Sequence, residues 1–328
     1  MDAQPVARAQ LVSVHRLKRK CPVCGKPDNC AVTADGRSAF CRRVRSDRAG
    51  RGGWWHRLTG DHRLVVSVER TGVRASIARA PVVHRDGIYA PLLRKHLTLS
   101  DAHLAKLRVR GLSAAEIERR GYKSTPTRTQ ANEIAAALST CGLEGVPGFY
   151  RDGDRWRMVR CAAGFFVPYR DEHGRIQAMQ YRLDEPLGGK TKYLWLSSRD
   201  CSSGAPVHHA NHHLLPDAEE VTVTEGALKA DVIAHFTQAP VVGIAGVSTF
   251  GADFATHLRT IAPRVRSVVV AYDMDLLTKR EVQAALEALT AQLERARFRV
   301  RVRTWPAQWK GFDDYLLAQL QRREVTAA

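Results

Sequence analysis

The chain has 328 residues, 44% of them hydrophobic, which is enough for two or three domains with buried cores. It contains no run of 18 apolar residues, and its first 20 residues lack the apolar segment of a signal peptide. The sequence therefore predicts a cytoplasmic protein with no transmembrane helix and no membrane partner. The formal net charge of +18 favours a polyanionic partner, and nucleic acid is the usual one.

Residues 1–60 are predicted to form a small zinc-binding unit. Four of the seven cysteines lie close together here, and a cysteine cluster in a cytosolic protein indicates metal binding rather than disulfides. Thiolates suit tetrahedral Zn²⁺, and a structural zinc ion can contribute roughly 10–16 kcal/mol to a unit that is too small to fold by hydrophobic burial alone. The predicted ligands are Cys21, Cys24, Cys30 and Cys41, with His56 as an alternative to Cys30 or Cys41.

The same unit carries half of the net charge, with thirteen Lys and Arg against four Asp and Glu in residues 1–60. Arginines beside aromatic rings are typical of single-strand binding, because guanidinium groups contact phosphates and rings stack on bases. We therefore expect Arg42, Arg43, Arg45 and Trp54 to contact single-stranded nucleic acid. The alternative is a solvated charged face with the tryptophan in a core.

Residues 61–125 are predicted to be a linker followed by a helical segment. The first of two short helices would end at Gly111. Ser113 and Glu116 fit a capping box at the start of the second helix, which would end at Gly121. Such a pair also fits a helix-turn-helix, but a structural role is favoured because many small domains contain one.

Residues 126–216 are predicted to form a basic, β-rich domain. Two strand-like runs are joined by a turn at 171–174, and a further strand follows near 191–197. The run HHANHH at 208–213 allows a second metal site, but no acid or cysteine is fixed beside it in the sequence. Exposed histidines in a connecting segment are therefore the favoured interpretation.

Residues 217–328 alternate between apolar strands and helices, which predicts a parallel sheet covered on both faces. Glu225 ends the first strand, and Asp273 and Asp275 end the third, on the same face of an extended segment. Ligands of open α/β sheets bind at the edge where the parallel strands end. Clustered carboxylates repel one another and need a cation, and oxygen donors favour Mg²⁺ or Mn²⁺.

These residues also carry a family resemblance. The TEG at 224–226 and the YDMD at 272–275, in this strand order, resemble the Toprim domain of DnaG-type primases, topoisomerases and some nucleases. The segments GFFVPYRDEHGRIQAMQYRLD, TKYLWLS and KGFDDYL resemble primase elements, and an N-terminal zinc unit precedes them, as in primases. The likeness covers most of the chain from 21 to 317. It suggests a relation to the primase-like Toprim proteins of phages, plasmids and other mobile elements.

The resemblance implies both a fold and residue roles. The fold would be α/β, with a Toprim domain on a Rossmann-like parallel sheet preceded by an α+β basic domain and the zinc unit. The implied roles are catalysis and Mg²⁺ binding for Glu225, Asp273 and Asp275, Mg²⁺ binding for Asp313, and template or phosphate contact for Arg182 and Lys192.

One position departs from the family pattern. Primases usually carry an aspartate four residues after the motif glutamate, and here that position is Lys229, which could bind phosphate instead. The next acid, Asp231, would lie on a different face of the following helix. The metal constellation therefore depends on whether Lys229 or Asp231 joins the carboxylates.

The leading functional hypothesis is a primase-like nucleotidyltransferase that uses NTPs, a single-stranded DNA template, Mg²⁺ or Mn²⁺, and structural Zn²⁺. The alternatives are a Toprim metal-dependent nuclease and a non-catalytic nucleic-acid-binding replication accessory, which Lys229 favours. The sequence contains no G-x-x-x-x-G-K-[ST] motif, so a replicative helicase partner would be a separate chain.

Overall fold

The structure is a computed structural model that describes residues 11–15, 17, 19–33, 36–50, 52–58, 77–188, 191–247, 249–274 and 278–327, without the side chains of 281 and 323–327. The chain divides into two compact units, Met1–Val73 and Arg74–Ala328. Within the described residues, no helix combines the length and apolar character that a bilayer span requires. The finer division of the second unit into domains stays a prediction.

The described strands of the N-terminal unit form one antiparallel sheet in the order β1-β2-β3-β5-β4. Its strands are β1 (Leu11–Ser13), β2 (Ala31–Thr33), β3 (Ser38–Cys41), β4 (Arg48–Gly50) and β5 (Gly53–Arg57). The buried cluster beneath them is small, and half of it is cysteine: Val14, Cys21, Cys30, Val32, Ala39 and Cys41. Apolar burial therefore contributes little to this unit, and the sulfur atoms lie at its centre.

The second unit begins with helices. They are α1 (Val82–Pro91), which continues into a π-helical turn at Leu92–His96, α2 (Asp101–Arg108) and α3 (Ala114–Arg120). The two predicted short helices are confirmed, and the glycines after them adopt the left-handed conformation that ends a helix. The predicted capping box is half correct. Ser113 Oγ accepts from the Glu116 N–H at 3.2 Å, but the Glu116 carboxylate binds Arg119 and Arg120 instead of returning to Ser113.

A short strand, β6 (Lys123–Ser124), precedes a helix that the sequence analysis missed. Helix α4 (Arg128–Ala137) opens the segment predicted to be β-rich. Thr127 Oγ1 accepts from the Gln130 N–H at 3.3 Å, and Gln130 Oε1 accepts from the Thr127 N–H at 2.9 Å. This complete capping box satisfies two backbone donors of the first turn, which explains why a helix starts here.

The predicted β-rich region follows. A hairpin of β7 (Phe149–Asp152) and β8 (Arg155–Met158) leads into an antiparallel sheet in the order β11-β10-β9-β6, formed with β9 (Gly164–Arg170), β10 (Ile176–Leu187) and β11 (Thr191–Trp195). The predicted turn at 171–174 joins β9 to β10. Strand β9 is buried on both faces, so this sheet forms the core of the region.

The last part of the unit is a mixed sheet with helices between its strands. In chain order it contains β12 (His208–Ala210), β13 (Glu220–Glu225), α5 (Ala227–Thr237), β14 (Val241–Ile244), α6 (Phe254–Ile261), β15 (Ser267–Ala271), α7 (Arg280–Arg295), β16 (Arg299–Val302) and α8 (Phe312–Ala327). The sheet order is β12-β14-β13-β15-β16, and the pairings of β13 with β14 and β15, and of β15 with β16, are parallel. The predicted alternation of four parallel strands with helices is confirmed, and the fold is mixed α/β.

Strand β12 corrects the interpretation of the histidine run. His208 and His209 are 1% and 2% exposed rather than part of a solvated connector. They belong to an edge strand that pairs antiparallel with β14, so their side chains point to opposite faces. His208 contacts Asp231 and the Arg170 N–H, and His209 contacts the Arg170 carbonyl oxygen. The sequence did not indicate a buried strand here, because the hydrogen-bond partners of these two imidazoles lie far away in the chain.

Candidate functional site

The four predicted cysteine ligands come together in the N-terminal unit. Their Sγ atoms all lie within 4.8 Å of one another, with Cys24–Cys30 at 3.8 Å and Cys30–Cys41 at 3.9 Å. Four ligands about 2.3 Å from a tetrahedral zinc ion would be about 3.8 Å apart, so the spacing fits Zn²⁺. The backbone N–H groups of Arg43 and Val44 also point to the Cys41 sulfur, each at 3.4 Å. Such donors stabilise thiolates.

The alternative ligand, His56, is wrong for this cluster. Its Nε2 lies 3.0 Å from the Val44 carbonyl oxygen, and the histidine is not among the residues that surround the sulfurs. The basic residues of the unit separate into two groups. Arg43 contacts Cys24, Cys30 and Asp28, whereas Arg42 and Arg45 are exposed, with the Arg45 guanidinium 5.7 Å from the Trp54 ring.

Two of the predicted acids lie at one edge of the parallel sheet. Glu225 is the last residue of β13, and Asp273 follows β15, its parallel neighbour, by two residues. The Thr224 hydroxyl donates to the Ala271 carbonyl at 2.9 Å, which ties the ends of the two strands together. Gly226, at φ +76°, turns the chain from this strand into α5. The apolar strands thus deliver both carboxylates to the edge where ligands of such sheets bind.

Lys229 occupies the space beside these acids. Its ammonium forms an ion pair with Asp273 Oδ1, and Lys310 lies 3.8 Å from the other oxygen. Burial alone would lower the pKa of Lys229, but the adjacent Asp273 carboxylate raises it, so the lysine is a cation. Burial raises the pKa of Glu225, an effect that Lys229 opposes and Asp273 reinforces. The sheet edge that carries Glu225 and Asp273, which we call the acidic edge, therefore contains a positively charged side chain of the protein itself.

Asp313, at the start of α8, is paired with a residue that the sequence analysis did not single out. The Arg110 guanidinium binds Asp313 Oδ2, while Asp313 Oδ1 is buried without a hydrogen-bond partner among the described residues. Burial raises the pKa of Asp313 although Arg110 opposes the rise. The Met274 N–H donates to the Lys310 carbonyl at 3.0 Å, and the Lys310 ammonium lies 3.8 Å from Asp273, so the segment that leads into Asp313 lies beside the same edge.

The acidic edge offers the type of ligand that a hard divalent cation prefers, but its carboxylates are not gathered around one point. Carboxylate oxygens are the ligands that Mg²⁺ prefers. However, in the described part of the chain no three carboxylates of this edge have ligand atoms within 4.8 Å of one another. Lys229 and Arg110 neutralise two of them instead. Asp275 lies outside the described residues, so its place in the site stays a prediction.

Asp231 does not join the edge. It is 2% exposed and binds the Arg120 guanidinium, the Tyr122 hydroxyl and His208 Nε2, the last at 3.0 Å. His208 Nδ1 accepts from the Arg170 N–H at 2.9 Å, so its Nε2 carries the proton donated to Asp231. Burial opposes ionisation, but Arg120 and His208 hold the pKa of Asp231 well below its usual range. Asp231 is thus the centre of a buried ionic network.

A basic groove of 460 Å³ lies within the same unit, and Lys106, Arg110 and Arg182 contribute its cations. The Arg182 guanidinium lies 6.0 Å from the Phe165 ring, and Lys106 pairs with Asp184 at 2.5 Å. Lys192 is exposed on β11 and does not line this groove. The sequence did not single out Arg110 and Lys106, because the basic end of a helix does not indicate which of its side chains face a groove.

A smaller cavity of 160 Å³ lies at the start of α5. Its lining includes Glu225, Gly226, Lys229, Gln180 and Tyr193. The free N–H groups of a helix N-terminus attract anions, and the lysine ammonium adds a full positive charge. The cavity thus combines an anion-binding helix end with a carboxylate.

A family model described as "Domain of unknown function (DUF3854)" matches residues 214–323. No curated protein matches the chain by sequence. The chain is similar in structure to the zinc-binding and RNA polymerase domains of the Aquifex aeolicus primase, with a TM-score of 0.54 and 14% identity over 75% of this chain, and it spans 59% of that structure.

Two further structures are similar. One is the RNA polymerase domain of Mycobacterium tuberculosis primase DnaG in complex with double-stranded DNA, with a TM-score of 0.55 and 18% identity over 73% of this chain and 80% of that one. The other is a DnaG primase catalytic domain bound to single-stranded DNA, with a TM-score of 0.51 and 19% identity over 75% and 77%. The chain therefore has the fold of DnaG-type primase domains.

Proposed function

We propose that this chain, with its DnaG-type primase fold, is a primase-like nucleotidyltransferase that joins NTPs on a single-stranded DNA template. The mixed sheet and its helices would form a Toprim domain. In replication the protein would act as a mobile-element or phage primase that works with a separate helicase. The N-terminal unit would hold a structural Zn²⁺ and contact template through Arg42, Arg45 and Trp54.

The observation that carries the proposal is the continuity between the basic groove and the acidic edge. Arg110 lines the groove with Arg182 and also pairs with Asp313 at the start of α8. Lys310, three residues before Asp313, lies 3.8 Å from Asp273. A strand held by the cations of the groove would therefore lead to the carboxylates. Polymerisation needs this combination, because the template must be fixed while charge develops on a transferring phosphoryl group.

The side chains at the edge have distinct roles in this proposal. Mg²⁺ or Mn²⁺, held by Glu225, Asp273 and Asp275, would offset negative charge on the triphosphate. The N-terminus of α5 and Lys229 would bind phosphate oxygens in the small cavity. Arg110 would keep Asp313 ionised and in place. Replacing the family aspartate by Lys229 changes the charge of the site by +2, the charge of one divalent cation, so fewer metal ions are needed for neutrality.

The experiment is a primer-synthesis assay with the whole protein, labelled NTPs and a pool of single-stranded DNA templates. We expect oligoribonucleotides that depend on template and on Mg²⁺ or Mn²⁺, and that disappear when EDTA is added. No products across the template pool in either metal would contradict the proposal.

A second candidate, a non-catalytic nucleic-acid-binding accessory, is favoured by one contact, the Lys229–Asp273 ion pair, which neutralises a carboxylate that would otherwise bind metal. The same protein preparation separates the two functions. Tight single-stranded DNA binding that persists in EDTA, without any synthesis, would support the accessory role, whereas synthesis supports the enzyme.

A further inference from the structure

A second group of metal-ligand side chains lies in the larger unit, apart from the acidic edge. Glu172 is in the turn between β9 and β10, His209 is in β12 and His257 is in α6. One ligand atom from each lies within 4.8 Å of the other two, and His257 Nε2 is 3.7 Å from Glu172 Oε2. We propose that these three residues bind a divalent transition-metal ion, with Zn²⁺ the ion that best suits two imidazoles and one carboxylate.

The orientation of His209 supports this assignment. Its Nδ1 lies 3.3 Å from the Arg170 carbonyl oxygen, and a carbonyl only accepts hydrogen bonds, so Nδ1 carries the proton. The lone pair is then on Nε2, which is the tautomer of a metal-bound histidine whose other nitrogen donates to the backbone. The residue is 2% exposed, so its ring is held in place by packing.

The position of Glu172 is also fixed before any ion binds. The preceding residue, Asp171, accepts from the backbone N–H groups of His173 at 3.0 Å and Arg175 at 2.8 Å. Its other oxygen accepts from Arg175 Nε at 2.7 Å. These bonds close the turn and hold the Glu172 backbone, so the carboxylate needs only a side-chain rotation to approach the ion.

The distances fit a site that closes around its ion. Nitrogen and oxygen ligands about 2.0–2.1 Å from a tetrahedral zinc ion are about 3.4 Å apart, close to the 3.7 Å between His257 and Glu172. His257 is 40% exposed at its side chain, which leaves a path for the ion. Three protein ligands leave a fourth position for water. The bound ion would connect the turn of the antiparallel sheet to the edge strand and a helix of the mixed sheet.

The test is the zinc content of the full-length protein after exhaustive dialysis, measured by mass spectrometry of the metal. We expect two zinc ions per chain in the wild type, one of them in the cysteine cluster, and one in both His257→Ala and Glu172→Gln. The matched control is His213→Ala, an exposed histidine outside the group, which should retain two. Cobalt replacement adds a second readout, because only the cysteine site gives thiolate charge-transfer bands.

In this cobalt titration we expect a first equivalent with thiolate bands and a second with d–d bands alone, the second being absent from His257→Ala. A single zinc in the wild type would overturn the proposal. So would two zinc ions in both His257→Ala and Glu172→Gln, because the second ion would then lie elsewhere. Neither outcome depends on primer synthesis, so failure here is separate from failure of the proposed function.

Discussion

Removal of zinc is expected to unfold the N-terminal unit while the larger unit stays folded. Half of the buried cluster of the N-terminal unit is cysteine. Once the ion is removed, hydrophobic burial is too small to hold this unit folded. Structural zinc in small domains contributes about 10–16 kcal/mol of apparent binding free energy at neutral pH, which is as large as the whole stability of a typical domain. We therefore expect loss of structure rather than loosening.

Hydrogen exchange of the full-length protein, resolved by mass spectrometry, measures this prediction. After zinc is removed by a chelator, peptides from 11–58 should exchange at once, and peptides from 77–327 that do not contain the second proposed metal site should be unchanged. Cys41→Ser should reproduce the effect, whereas Cys141→Ser, at an exposed cysteine outside the cluster, should not. Persistent protection in 11–58 of metal-free protein would show that the sulfurs do not hold a structural ion.

Asp231→Ala is expected to destabilise the larger unit by about 3–5 kcal/mol. The substitution leaves Glu116 as the remaining carboxylate of the Arg120 guanidinium, which is 5% exposed. It also removes the acceptor of Tyr122 and His208. Breaking a buried ion pair and leaving its buried donors unsatisfied is far more costly than the loss of a surface pair. Asp217→Ala breaks an ion pair with Arg264 whose side chains are 84% and 63% exposed, and should cost less than about 1 kcal/mol.

Urea unfolding of zinc-saturated protein, followed by circular dichroism, compares the two variants. The pH dependence gives an independent readout. Because the pKa of Asp231 is lower in the folded protein, the unfolded chain binds more protons, so this stabilisation is complete above the ordinary aspartate pKa and is lost as the pH falls towards the folded value. Asp231→Ala should lack that part of the acid sensitivity. Equal midpoints for the two variants would mean that the network does not stabilise the fold.

The acidic edge could be predicted from sequence because its signals are local. The apolar runs of β13 and β15 each end at a carboxylate, and parallel strands place such ends side by side. The zinc cluster was also readable, since four cysteines within 21 residues in a polar segment have few other uses. Helix α4 could have been predicted from the Thr127 and Gln130 capping box, whose spacing was in the sequence.

The remaining features depend on contacts between distant parts of the chain. Asp313 meets Arg110 across 203 positions, and Asp231 meets Arg120 across 111. No local pattern indicates which arginine reaches which carboxylate. The histidine run shows the same limit, because burial of His209 follows from pairing of β12 with β14, and its neighbour His257 lies in a separate helix.

The central claim is that the edge containing Glu225 and Asp273 performs nucleotidyl transfer. The most direct test is the rate of primer synthesis by Asp273→Asn beside the wild type and Asp217→Asn, a matched exposed aspartate. We expect Asp273→Asn to lose on the order of 10²–10³-fold in kcat while it still binds single-stranded DNA, and Asp217→Asn to match the wild type. Primer synthesis by Asp273→Asn at the wild-type rate would place the chemistry elsewhere and contradict the account.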